Sequence, residues 1–156
     1  MRDFDRGLNQ RGRRGARLIG GHIGSHGVRW DALIASPAAR VKQTLAEATP
    51  DLEARYDKRV YLADADTLLE VLRGAGEADA VLLAGHNPGL QNVLFALVPP
   101  DNENGLFDEA SVKFPTATFA VLELAIDDWA DLARDCGRLV HFARPRDLDP
   151  ELGPEA

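Results

Sequence analysis

The chain has 156 residues, close to one domain, and a domain of that size buries about 68–70% of the surface its unfolded chain exposes, enough for a core without staples. With 45% hydrophobic and 28% charged residues it is excluded from the disordered class. The single cysteine, Cys136, excludes an intramolecular disulfide framework. No apolar run approaches the ~20 residues of a membrane helix. The opening MRDFDRGLNQ lacks the apolar stretch of a secretory leader, so the expected location is cytoplasmic. A net charge of −7 argues against general nucleic-acid binding. The arginines Arg2, Arg6, Arg11, Arg13, Arg14 and Arg17 crowd the start and read as a solvated helix face able to attract a small anion.

In chain order, Asn9 to about His26 is predicted to be a helix, with Ala16, Ile19 and Ile23 at helical spacing, although Gly12, Gly15, Gly20 and Gly21 weaken the pattern. Ala32–Ala35 is a short apolar strand ending in Ser36-Pro37, and Ala38–Ala48 is a helix with Val41 and Leu45 on one face. Val60–Leu62 reads as a strand and Thr67–Arg73 as a helix. Ala80–Ala84 is continuously apolar, as buried parallel strands are. It runs into Gly85-His86-Asn87-Pro88 and a helix to Val98, with Asn87 as the expected N-cap and Pro99-Pro100 as the stop. The polar run 99–113 reads as a loop, followed by strands over Ala117–Leu124 and Arg138–Phe142. This alternation predicts an α/β, three-layer α/β/α sandwich with a mostly parallel central sheet. Residues 1–148 form the expected single domain, and 149–156 a disordered tail.

Open α/β sheets bind ligands beyond the carboxyl ends of their strands. Two strand–Pro–helix junctions put polar groups at that edge: Ser36 with Arg40 one turn into its helix, and His86 with Asn87. Helix N-termini favour anions, Arg40 adds a forked donor that matches phosphate, and a protonated His86 can donate to a phosphate oxygen. The pattern thus predicts a phosphate pocket formed by Arg40, His86, Asn87 and Ser36, with Arg11 at its rim. Structural capping accounts for Ser36 and Asn87 equally well. The four histidines and one cysteine show no metal-ligand spacing, so neither metal nor cofactor is expected. Gly74-Ala75-Gly76 precedes a strand instead of following one, which argues against a dinucleotide site.

The run LIASPAARVKQT (Leu33–Thr44) resembles the Ser-Pro-x-x-Arg-x-x-Gln-Thr segment of the histidine phosphatase superfamily, which has the phosphoglycerate mutase-like fold. VLLAGHNPGL (Val81–Leu90) resembles its second-histidine segment. FDRGLNQRGRRGA (Phe4–Ala16), KFPTATFAVLEL (Lys113–Leu124) and RLVHFARPRDL (Arg138–Leu148) resemble the small SixA-like branch, the phosphohistidine phosphatases. The resemblance spans nearly the whole chain. It implies that Arg40 clamps a phosphoryl group, that His86 stabilises it during transfer, and that the substrate is phosphohistidine on a protein or a small phosphate ester.

One departure bears on activity. The family's nucleophile is the histidine of an Arg-His-Gly motif ending a central first strand, beside the strand that matches Ala80–Ala84. No Arg-His-Gly occurs here. The nearest likeness, Ser25-His26-Gly27, follows a helix, and neither His22 nor His141 is better placed. The expectation is a chain inactive by itself, with the strand's place filled by a longer form of the protein, another segment or another subunit, and with an open sheet edge that favours a homodimer. The resemblance supplies no general acid; Asp64, Asp66 and Glu70 are expected to cap helices or face solvent. The contrasting reading is a catalytically dead phosphate- or phosphoprotein-binding module that keeps Arg40 and His86.

Overall fold

The computed structural model describes residues 2–48 and 50–152. Three parallel strands, β1 (Ala32–Ala35), β2 (Ala54–Tyr56) and β3 (Val81–Ala84), pair in the order β2-β1-β3. Leu33 lies beside Leu82, and Ile34 beside Leu83. Because strand side chains alternate, this register divides the sheet between two helical layers. Ile34, Val81 and Leu83 pack with Leu68, Leu72, Val93 and Leu97 of α3 (Ala65–Arg73) and α4 (Gly89–Leu97). Leu82 packs on the other side with Ile19 of α1 (Gln10–Ser25), which lies against α2 (Ala39–Ala48). This is the predicted α/β sandwich, built on a parallel sheet.

The remaining strands, β4 (Phe119–Leu124) and β5 (Gly137–Ala143), form a separate antiparallel pair instead of extending the parallel sheet. Among the described residues β3 is paired only along its β1 edge. All four of its residues are only partly buried despite their apolar run.

The glycines of α1 are packing residues. A Cβ at Gly20 would meet the Ala48 carbonyl oxygen at 2.2 Å, so the close approach of α1 and α2 requires glycine there. Asn9 accepts from the Gly12 N–H as the N-cap of α1. The arginine-rich face is paired: Arg13 and Arg17 with Glu47, Arg14 with Asp149 and Glu151, and Arg2 with Asp5.

Three local expectations are corrected. Val60–Leu62 is not a strand: Asp57 accepts from the Arg59 N–H and turns the chain into a 3-10 turn, and Leu62 has φ 50. The strand there is β2, whose mostly exposed residues carry no apolar alternation. Residues 99–113 are not a loop throughout but hold α5 (Gly105–Val112), capped by Asn104, which accepts from the Phe107 N–H. Asn87 does not cap α4; Pro88 occupies that position without a side-chain cap. Of the expected tail, Pro150–Leu152 forms a 3-10 turn next to the Asp149–Arg14 pair, and 153–156 lie outside the described residues. The short helix α6 (Pro145–Leu148) links β5 to that turn and packs on α1.

Candidate active site

The carboxyl ends of β1 and β3 bring Ser36 and His86 together. The Ser36 N–H donates to the Ala84 carbonyl at 3.0 Å, which continues the β1–β3 ladder to the junction and fixes both loops. The Ser36 side chain is fully buried and His86 is 8% exposed. His86 Nε2 lies 2.7 Å from Ser36 Oγ, and His86 Nδ1 lies 3.0 Å from Arg40 Nη2. A guanidinium only donates, so Nδ1 accepts and the ring proton sits on Nε2, where it donates to Ser36. Ser36 Oγ also accepts from the Ala38 N–H at 3.2 Å. His86 is therefore neutral and held at both nitrogens. Burial, and then the Arg40 charge, lower its pKa below the ordinary histidine value, with Asp3 opposing them weakly.

Arg40 stands in the first turn of α2, and its guanidinium reaches across to Asp3. Its Nη1 donates to the Asp3 carbonyl at 3.0 Å and pairs with the Asp3 carboxylate at 3.2 Å. The Tyr61 hydroxyl donates to that carboxylate at 2.5 Å, and the Tyr61 ring meets both His86 and Phe4 edge-on. Gln43 fastens the same N-terminal segment, accepting from the Leu8 N–H at 2.7 Å. Asp3, Tyr61 and Gln43 are site neighbours that sequence reasoning missed. Gln43 had a signal in the Gln-Thr of the α2 motif; Asp3 and Tyr61 had none, because their contacts are made only by the fold.

The other expected residues divide. Asn87 borders the site, but its amide donates to the Phe114 carbonyl at 2.6 Å. Arg11, expected at the rim, donates from its guanidinium to the Glu151 carbonyl at 3.4 Å. Asp64 caps α3, Asp66 pairs with Arg134, and Glu70 pairs with Arg73, so these three carboxylates are engaged away from Arg40 and His86. His22, His26 and His141 pack on one another and on Phe119, and none of them contacts Arg40 or His86.

Behind Arg40 and His86 runs a cavity of about 440 Å³ between β3 and β4. Leu82 and Leu83 of β3 and Phe119 and Val121 of β4 are among its lining residues. Trp30 also lines it, and its indole N–H is buried without an acceptor among the described residues.

No known family profile matches the chain. A structure from Nakamurella multipartitia assigned as phosphohistidine phosphatase SixA is 32% identical, covers 93% of this chain and 88% of its own, and superposes with a TM-score of 0.83. The chain belongs to the SixA-like branch of the histidine phosphatase superfamily. An Agrobacterium tumefaciens SixA structure, likewise 32% identical, gives a TM-score of 0.75 with 93% and 87% coverage. A third SixA structure, a protein histidine phosphatase in complex with tungstate, shares the fold with a TM-score of 0.74 at 20% identity, over 95% of this chain and 90% of its own. An uncharacterised Mycobacterium tuberculosis protein is 36% identical over 146 residues, 92% of each chain. One from Mycobacterium leprae is 33% identical over 145 residues, 92% of this chain and 89% of its own. In this SixA-like fold the predicted α/β class holds, and the Arg40–His86 pair stands at the carboxyl edge of the parallel sheet. Among the described residues no helix is long and apolar enough to cross a membrane.

Proposed function

We propose that this chain holds a phosphoryl group between Arg40 and His86 and belongs to a phosphatase acting on phosphohistidine or a small phosphate ester. The observation that carries the reading is the 3.0 Å approach of Arg40 Nη2 to His86 Nδ1, with Ser36 locking the far side of the ring. An incoming phosphoryl oxyanion takes the Arg40 donors, and its charge favours the imidazolium at His86, whose Nδ1–H then donates to the bound oxygen. Two donors aimed at the same oxyanion stabilise charge that grows during transfer.

The nucleophile in this scheme is a histidine outside the present sequence. His22, His26 and His141 are engaged with one another, and no Arg-His-Gly is present. A strand entering the cavity beside β3 would end next to Arg40 and His86, where its terminal histidine could attack phosphorus in line. The transfer forms an Nhis–P bond and breaks the bond to the leaving group, and water then cleaves the Nhis–P bond to release phosphate. No step of this scheme requires a metal or a cofactor.

The deciding experiment compares hydrolysis of an aryl phosphate and of a phosphohistidine peptide by residues 1–156 and by a form extended with an apolar strand ending in Arg-His-Gly. Gain of activity in the extended form, lost again in His86→Ala, supports the reading. Phosphate binding by a well-folded extended protein that hydrolyses neither substrate identifies a binding module instead.

A further inference from the structure

Four side chains close a ring at the Arg40–His86 site. Arg40 Nη2 meets His86 Nδ1, Arg40 Nη1 meets Asp3, and the Tyr61 hydroxyl donates to Asp3. The Tyr61 ring then returns to His86, with centroids 5.3 Å apart and planes at 85°. Tyr61 is itself held in place: Phe4 packs on its ring edge-on at 5.1 Å, and its N–H donates to the Lys58 carbonyl at the end of the 3-10 turn. The hydrogen bond between Tyr61 and Asp3 is the largest influence on both groups. It holds the Asp3 carboxyl below the ordinary carboxylate range and the Tyr61 phenol above the ordinary phenol range. Near neutral pH the phenol is therefore the donor and the charged carboxylate the acceptor.

A guanidinium is a planar fork, so what one arm holds fixes where the other points. At Arg40, Nη1 donates to the Asp3 main-chain carbonyl at 3.0 Å, while the carboxylate oxygen Oδ2 stands 3.2 Å away. Tyr61 holds that same Oδ2 at the shorter distance of 2.5 Å. Without the hydroxyl, the carboxylate is free to turn onto both arms of the fork, a geometry that carboxylates and phosphates share. There it would take the donors that an incoming phosphoryl oxyanion needs. We propose that Tyr61 is a positioning residue of the phosphoryl site, drawing the Asp3 carboxylate aside so that Arg40 keeps Nη2 toward His86 and the incoming oxyanion. This rests on the reading of Arg40 and His86 as a phosphoryl site.

The test is an NMR titration of residues 1–156 with inorganic phosphate at neutral pH and fixed ionic strength, following the His86 ring through a double-variant cycle. Tyr61→Phe removes the hydroxyl and keeps the ring against Phe4 and His86. Asp3→Asn removes the charge that the hydroxyl restrains. Tyr56→Phe, at an exposed tyrosine that packs on Lys42, is the control. In the native background Tyr61→Phe is expected to weaken phosphate binding about fivefold or more, whereas in the Asp3→Asn background it should change affinity by less than about twofold. Tyr56→Phe should leave affinity unchanged. A hydroxyl that merely supports the fold acts whether or not Asp3 is charged. Undiminished affinity in Tyr61→Phe, or an equal loss in both backgrounds, therefore overturns the role of Tyr61 while leaving the site standing. Failure of native protein and Asp3→Asn alike to bind phosphate overturns the phosphoryl reading, and the proposal with it.

Discussion

Ser36 Oγ and His86 Nε2 meet at 2.7 Å although fifty residues separate them in the chain. The contact joins the ends of two neighbouring parallel strands and sets which nitrogen of His86 faces Arg40. Ser36→Ala leaves a buried ring N–H without its acceptor, which costs about 1–3 kcal/mol of stability. Urea unfolding of native and variant protein measures that loss. Phosphate affinity should also weaken, because the ring is no longer held with Nδ1 toward Arg40.

Arg40 supplies the permanent positive charge of the site. Phosphate should bind native protein with millimolar to micromolar affinity, about 4–8 kcal/mol. Removing a charged hydrogen-bond donor costs about 1.5–3 kcal/mol, so Arg40→Ala should weaken binding at least tenfold. NMR titration following the His86 ring is the direct check; equal affinity in Arg40→Ala would place the anion elsewhere.

In the proposed scheme the phosphoryl group passes to the histidine of an Arg-His-Gly motif, and no Arg-His-Gly occurs in residues 1–156. Loss of a nucleophile from a catalytic unit costs on the order of 10⁴–10⁶ in rate. Residues 1–156 should therefore hydrolyse an aryl phosphate at near-background rates. Full activity abolished by His26→Ala would instead make His26 the nucleophile and overturn the proposed scheme.

Stability should fall as the medium is acidified. Burial lowers the pKa of both His86 and His141 below the ordinary histidine value of 6.5, reinforced by Arg40 at His86 and by His26 and His22 at His141. Below that value the unfolded chain binds protons that the folded chain refuses, so stability is fully present above about pH 6.5 and declines as pH drops through the folded-state values. Thermal melts between pH 7.5 and 5, at roughly half-unit steps, should show this slope. The double variant His86→Gln, His141→Gln should flatten it; an unchanged slope would assign it to other groups.

The edge of β3 that is unpaired among the described residues offers a template for another strand. Residues 1–156 should self-associate as concentration rises, and an added strand that fills the cavity should suppress this. Sedimentation velocity measures both effects. A stable monomer whose β3 amides resist hydrogen exchange equally with and without the strand would refute the expectation.

Most elements were legible in the sequence because their burial is periodic or continuous. The AVLLA run announced β3, and Ser36-Pro37 and Asn87-Pro88 marked where strands give way to helices. The segments misread are those whose burial is sparse: β2 is mostly exposed, and α5 buries only Phe107 and Ala110. Arg40 and His86 could be read as a pair because each stands at a strand–Pro–helix junction and parallel strands bring such junctions to one edge. What surrounds them was decided by tertiary structure alone. Asp3 reaches Arg40 from 37 residues away and Tyr61 reaches Asp3 from 58, through contacts that have no local sequence pattern. The tautomer of His86 and the cavity between β3 and β4 likewise exist only once the layers have packed. Local patterns specify which segments bury and turn, whereas the charge and hydrogen bonding of a site depend on which distant side chains the packed fold brings within a few ångströms.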